Sequence, residues 1–199
     1  TQTVRFSVPN YLGDLFWNAP GLIMPILLVN VLSAGDNAYF YIGWAIAGLV
    51  NMIPGAVATS LFAEGATDES RLGQNQARGL KMIFVLLTPA VIVVELLADR
   101  LLLVFGNLYS DNAATLLRLL VLAAFPVAIN VVFFATQRVR KKLKTIVLLT
   151  ATAGIITVGL SYCLLPAMGI TGVGVAWLAS QSIVALVVIA LRLRQRARQ

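Results

Sequence analysis

The sequence predicts an all-α fold, a polytopic bundle of six transmembrane helices with its N- and C-termini on the cytoplasmic side. Three observations predict it. Of the 199 residues, 59% are hydrophobic and 12% charged, with a mean hydropathy of +0.89, whereas soluble domains carry roughly 45–50% apolar residues and about 25% charge. The apolar residues gather into six runs, each near the ~20 residues a helix needs to cross a hydrocarbon core about 30 Å thick. The positive charges then fall between alternate runs, the pattern that orients membrane proteins.

Taken in chain order, the spans are expected at about 12–32, 39–62, 80–97, 114–136, 145–165 and 173–191, together one six-helix lobe over residues 1–199. Polar punctuation separates them: "SAGDN" after the first, "EGATDESRLGQNQARG" after the second, "RVRKKLK" after the fourth and "PAMGITG" after the fifth. The third boundary differs. There "ADRLLLVFGNLYSDNA" reads as a short amphipathic helix at the surface, broken at Gly106. Backbone groups in lipid must be satisfied within the segment, so each span is a helix. Nothing alternates with the period of two that a transmembrane β-barrel requires.

Thirteen basic residues lie on one side of this arrangement and two on the other. The larger set is Arg5, Arg71, Arg78, Lys81, Arg138, Arg140, Lys141, Lys142, Lys144, Arg192, Arg194, Arg196 and Arg198; the smaller is Arg100 and Arg118. Because cytoplasmic loops carry the excess of Lys and Arg, Arg138, Arg140, Lys141, Lys142 and Lys144 read as a topology-determining cytoplasmic loop. That loop also attracts anionic membrane lipids, at about 1 kcal/mol per basic residue. A nucleic-acid partner is not expected, since no aromatic interleaving or soluble module surrounds the block.

The absence of histidine removes His-based catalysis and the usual His metal sites, so neither enzyme activity, cofactor nor metal is expected. The single cysteine, Cys163, allows no disulfide framework. The chain opens on Thr1 without a short apolar segment and cleavage site, which leads us to expect a fragment of a longer protein.

Polar and helix-bending residues mark the candidate sites. Pro20, Pro25, Pro54, Pro89, Pro126 and Pro166 place a proline in each of the first five spans, and a proline removes a backbone hydrogen bond and bends its helix. In the first span Asp14, Asn18, Gly21 and Pro25 fall on one helical stripe. Tyr41, Trp44, Gly48, Asn51, Gly55 and Thr59 follow a similar stripe in the second, and Gly174, Trp177 and Gln181 in the sixth. Such stripes either pack helices closely with interhelical hydrogen bonds or line a water-filled cavity. Asp14, Asn18, Pro25, Asn51 and Gln181 are the cavity-lining candidates. Two ionisable residues, Glu95 and Arg118, sit deeper than the interfaces and are expected to pair with each other or to reach the outer headgroups.

The run from "LADRLLLVFGNLYSDNAATLLRLLVLAAFP" through "QRVRKKLK" to "LLPAMGITGVGVAWLASQS" resembles the C-terminal lobe of a polysaccharide or O-antigen-type flippase. That family belongs to the multidrug/oligosaccharidyl-lipid/polysaccharide (MOP) exporter superfamily. The resemblance covers about Tyr11 to Arg194. It implies a multi-pass protein of the cell membrane with two six-helix lobes, whose N-terminal lobe is missing from this chain. The implied substrate is a polyprenyl-pyrophosphate-linked glycan, flipped outward by alternating access. Flippases of this kind meet the pyrophosphate with cations in the cavity, yet apart from Lys81 at the very start of the third span the only cation placed inside a span here is Arg118, near the outside. A drug or cation antiporter of the same superfamily is the alternative, with Asp14 and Glu95 as its acidic candidates. A membrane scaffold or enzyme is the other, but its nearest polar cluster, Asp99, Arg100 and Asp111, reads as solvated surface.

Overall fold

A computed structural model describes residues 2–68 and 72–196; Arg71 and Arg198 of the basic set lie outside the described residues. The described residues are helical throughout, in the order α1 (Gln2–Val31), α2 (Ala34–Thr67), α3 (Leu72–Leu103), α4 (Asn107–Leu122), α5 (Ala124–Val139), α6 (Leu143–Met168) and α7 (Thr171–Arg196). Helices α4 and α5 follow one another as a single span, so six helices are long and apolar enough to cross a membrane. The chain is a multi-pass membrane protein. Its spans are longer than the apolar runs alone indicated, because helical backbone continues through the polar flanks.

Residues with distinct local chemistry set each boundary. Ser33 caps α2, its Oγ accepting from the Asp36 N–H at 3.0 Å, which satisfies one of the first-turn donors. Gly106 ends the α3–α4 connection at φ +124°, a backbone region open to glycine. The expected surface helix around Gly106 is corrected here: the break is present, but α3 runs on to Leu103 and α4 begins at Asn107. Leu102, Ala113 and Ala114 are buried between them, and this packing holds both ends of the hairpin helical. At Pro126 the missing N–H leaves the Leu122 carbonyl without its helical donor, and the fourth span divides at Ala123.

The basic block is also revised. Arg138 and Val139 are the last turn of α5, Lys144 belongs to α6, and only Arg140, Lys141 and Lys142 form the turn. The Lys142 N–H donates to the Gln137 carbonyl at 2.9 Å and the Lys141 N–H to the Arg138 carbonyl at 3.1 Å. With Lys141 at φ +56°, this is a Schellman cap carrying a lysine where glycine is usual.

The span of α4 and α5 forms the centre of the bundle. On one side it contacts α2 and α3, and on the other α7, which is paired with α6; α1 lies mainly against α6 and touches α2 little. Close approach is achieved through glycine. A Cβ on Gly174 of α7 would lie 3.0 Å from Leu119 Cβ of α4, and one on Gly154 of α6 would lie 3.2 Å from the Phe16 carbonyl oxygen of α1. That carbonyl is the one Pro20 leaves without a helical donor, and the glycine gives it a close Cα–H neighbour. Outward-facing residues such as Leu96, Ile155 and Leu186 are more than half exposed, as lipid-facing side chains must be.

Contacts between helices fix which ends coincide. Gly65 meets Leu72 and Val139, while Asp14 pairs with Arg138, so the starts of α1 and α3 and the ends of α2 and α5 share one end with the α5–α6 turn. Tyr39 and Tyr109 stack edge to face at the opposite end, ring centroids 5.0 Å apart.

Two outcomes follow. Lys141→Gly removes the left-handed strain of a residue bearing a Cβ, about 1 kcal/mol, and raises the thermal midpoint of the detergent-solubilised protein; an unchanged or lower midpoint rules the strain out. With Cys163 replaced, cysteines at Asn75 and Lys141 react together with an impermeant thiol reagent from one side of the membrane and a cysteine at Asn37 from the other. Reaction of Asn37 and Lys141 from the same side contradicts the arrangement of ends.

Candidate functional site

The scant contact between α1 and α2 leaves a groove between them, floored by α5. It has two connected compartments that share Trp17, Gly55 and Val131. The first, ≈ 280 Å³, lies toward the basic end and is walled by Asp14, Thr59, Phe62, Phe134 and Arg138. The second, ≈ 250 Å³, is walled by Asn18, Gly21, Trp44, Asn51, Leu120 and Trp177. Beyond Phe62 and Arg138 the groove meets a further hollow lined by Thr67 and Lys141.

The α1 stripe therefore divides. Asp14, Asn18 and Gly21 lie along the groove, whereas Pro25 is outside both compartments. From the second-span stripe Trp44, Gly48, Asn51, Gly55 and Thr59 line it, while Tyr41 is exposed elsewhere. Gln181 is corrected. It is buried against α5, where the Asn130 side-chain amide donates to its Oε1 at 2.9 Å and to its backbone carbonyl at 3.1 Å. A side-chain amide facing neighbouring helices in a membrane gains more from such a bond than from an apolar contact.

The main charged feature of the groove is an ion pair. Arg138 Nη2 donates to Asp14 Oδ1, joining α5 to α1. Arg138 thus extends from the last turn of its helix into the groove wall, a role the sequence reading gave only to topology. Its Nε is buried without an acceptor. Among the described residues, Asp14 and Arg138 are the only charged ones lining the two compartments, and their formal charges sum to zero. Asn51 donates to the Ala47 carbonyl at 3.0 Å, but its Oδ1 is buried and unpartnered.

All three tryptophans of the chain converge here from three helices. Trp44 and Trp177 meet at 5.0 Å and Trp17 and Trp177 at 6.2 Å between ring centroids, with Phe134 against Trp17 at 5.7 Å. The Trp44 indole lies over Gly21, where even a Cβ would come within 3.6 Å of the ring. Spacing of three and four residues from Val131 through Phe134 and Ala135 to Arg138 is the signal that could have placed Arg138 on this face.

The second pair of intramembrane charges also differs from expectation. Arg118 forms its salt bridge with Asp99, Nη2 to Oδ2 at 2.6 Å, and its Nε donates to the backbone carbonyl of Glu95 at 3.3 Å. Glu95 Oε1 is buried with no partner. One turn of α3 separates Glu95 from Asp99, and the more exposed carboxylate takes the guanidinium with less desolvation. Asp99 is consequently an ion-pair partner and not free surface. Among the described residues, no group of three or more His, Cys, Asp or Glu could hold a metal ion.

No protein-family model matches the sequence, and no curated protein matches it. Solved structures do. The chain is similar to a MOP superfamily transporter from Pyrococcus furiosus, described as having a binding pocket of reversed polarity, with 19% identity and a TM-score of 0.78 over 93% of this chain and 43% of that one. It is similar to an outward-facing multidrug resistance MATE family transporter of the MOP superfamily, with 19% identity and a TM-score of 0.82 over 97% and 45%. It is also similar to a MATE protein in complex with MaL6, with 17% identity and a TM-score of 0.82 over 98% and 46%. At these identities the likeness is one of fold. The chain spans less than half the length of each of these structures.

A double-mutant cycle separates the two carboxylates of α3. Arg118→Gln and Asp99→Asn are expected to couple by about 0.2–1 kcal/mol, the range for pairs open to solvent, whereas Arg118→Gln and Glu95→Gln are expected to add. Coupling confined to Glu95 would restore the pairing that sequence alone suggested.

Proposed function

We propose that this chain is one six-helix half of a membrane transporter of the MOP type, and that it carries a lipid-linked oligosaccharide across the cell membrane by alternating access. The α1–α2 groove is this half's share of the substrate path, and a second six-helix half, placed before it in the complete protein, faces the groove. The shared fold of half-length supports this reading. The clustering of basic residues at one end supports a cytoplasmic position for both termini.

The observation that carries the choice of substrate is Arg138. A guanidinium on a groove wall is suited to pyrophosphate, since it is always charged and offers several donors in a plane. Asp14 holds it in the groove wall and compensates its charge, while its Nε has no acceptor of its own. Phosphate oxygens then replace the carboxylate, an exchange that keeps the cation paired throughout. Lys141, beside the adjoining hollow, adds positive charge on the way in. The substrate is moved without covalent change.

A drug or cation antiporter is the second reading, favoured by the carboxylate of Asp14 in the groove. An organic cation would compete with Arg138 for that carboxylate.

The complete protein in proteoliposomes distinguishes the two. With a fluorescent polyprenyl-pyrophosphate glycan in one leaflet, Arg138→Gln is expected to slow flipping at least about tenfold, equivalent to about 1.4 kcal/mol of lost interaction, and Arg138→Lys to retain part of it. Unimpaired flipping by Arg138→Gln, at equal membrane abundance, rejects the anion role. Proton-driven efflux of a lipophilic cation that is abolished by Asp14→Asn would establish the antiporter instead.

A further inference from the structure

We infer that the tryptophan-lined compartment of the groove binds the sugar rings of the transported molecule, with Trp44 as the stacking face and Asn51 as the polar contact; this rests on the transport reading above. The compartment is walled by Trp17, Trp44 and Trp177 together with Asn18 and Asn51. An aromatic cluster formed for packing alone would bury its rings and satisfy its N–H groups. Here Trp17 and Trp44 are only half-buried, and among the described residues neither indole N–H has an acceptor. Two turns along α2 from Trp44, Asn51 Oδ1 is buried and unpartnered. Unsatisfied donors and acceptors cost free energy in an apolar surrounding, so the compartment suits a ligand that can meet them.

The part of the ligand held here must offer three things at once: an apolar face for indole rings, hydroxyl groups that both donate and accept, and no charge of its own, because none of the described residues lining this compartment is charged. Sugar rings meet all three, their C–H faces lying on the aromatic ring and their hydroxyls reaching the indole N–H groups and Asn51. An organic cation would stack as well, but it would find no carboxylate among the described residues of this compartment. The order along the groove is consistent with one extended substrate, its phosphates at Arg138 in the first compartment and its sugars beside Trp44 in the second.

The test compares two probes on the complete protein in nanodiscs: polyprenyl pyrophosphate, and the same lipid carrying a disaccharide. The sugar-bearing lipid is expected to bind about tenfold more tightly, the increment of about one stacked ring. Trp44→Leu is expected to bring the ratio of the two affinities close to one, and Trp44→Phe to keep about half of the increment on a logarithmic scale. If Trp44→Leu does not fold, Asn51→Ala provides the same ratio. A purely structural role for these residues would weaken both lipids alike and leave the ratio unchanged, which overturns the inference. Equal binding of the two lipids to the native protein also overturns it while leaving the flippase reading intact; binding of neither removes both.

Discussion

The span made of α4 and α5 is enclosed by other helices along most of its length, and that enclosure governs what each remaining helix can be. A helix shielded from lipid can carry polar groups, provided that neighbouring helices answer them. Asn130, Thr136 and Gln137 are buried on α5, and Asn130 is tied to Gln181 while Gln76 of α3 donates to Thr136 Oγ1 at 2.6 Å. The helices around the centre present one face to it and a second, apolar face to lipid. Where α1 and α2 fail to close over the central span, the groove remains.

The groove brings together groups that hydrocarbon would not tolerate singly. A lone arginine or aspartate at depth is costly, but side by side Asp14 and Arg138 compensate each other. Such a pair is weak evidence of stability, because the desolvation of two charges offsets their attraction. What it gives the groove wall is polarity at a place where hydrocarbon would exclude either group alone. The tryptophans supply the complementary property, large apolar area with a polar edge.

The number and order of spans were legible because hydrocarbon leaves a chain so few choices. Twenty apolar residues between polar turns can only be a helix, and the charge asymmetry grouped the turns that the structure places at one end. The stripe Asp14, Asn18 and Gly21 was legible for the same reason: a helix facing lipid shows its polar residues on one side. What sequence could not give was pairing between spans. Arg118 had two carboxylates within one turn of α3, and periodicity does not say which is nearer. Gln181 and Trp177 share a stripe, yet one reaches the groove wall and the other faces Asn130 on α5. Arg138 was obscured by its neighbours, since five positive charges in seven residues look like a loop even when the first of them completes a helix.

The two-residue turn at Leu32 and Ser33, together with the attachment of α1 mainly to α6 and only slightly to α2, gives the groove mechanical leverage. Its two walls are joined covalently at one end only, and Asp14 stands 17 residues from the end of α1 at Val31, about 26 Å along a helix rising 1.5 Å per residue. Over such an arm, a swing of about 10° about the turn displaces the carboxylate by roughly 4 to 5 Å, farther than an ion pair can reach. A small angular change near Ser33 or at the proline positions of α1 would thus be geared up into the loss of contact with Arg138 at the far end.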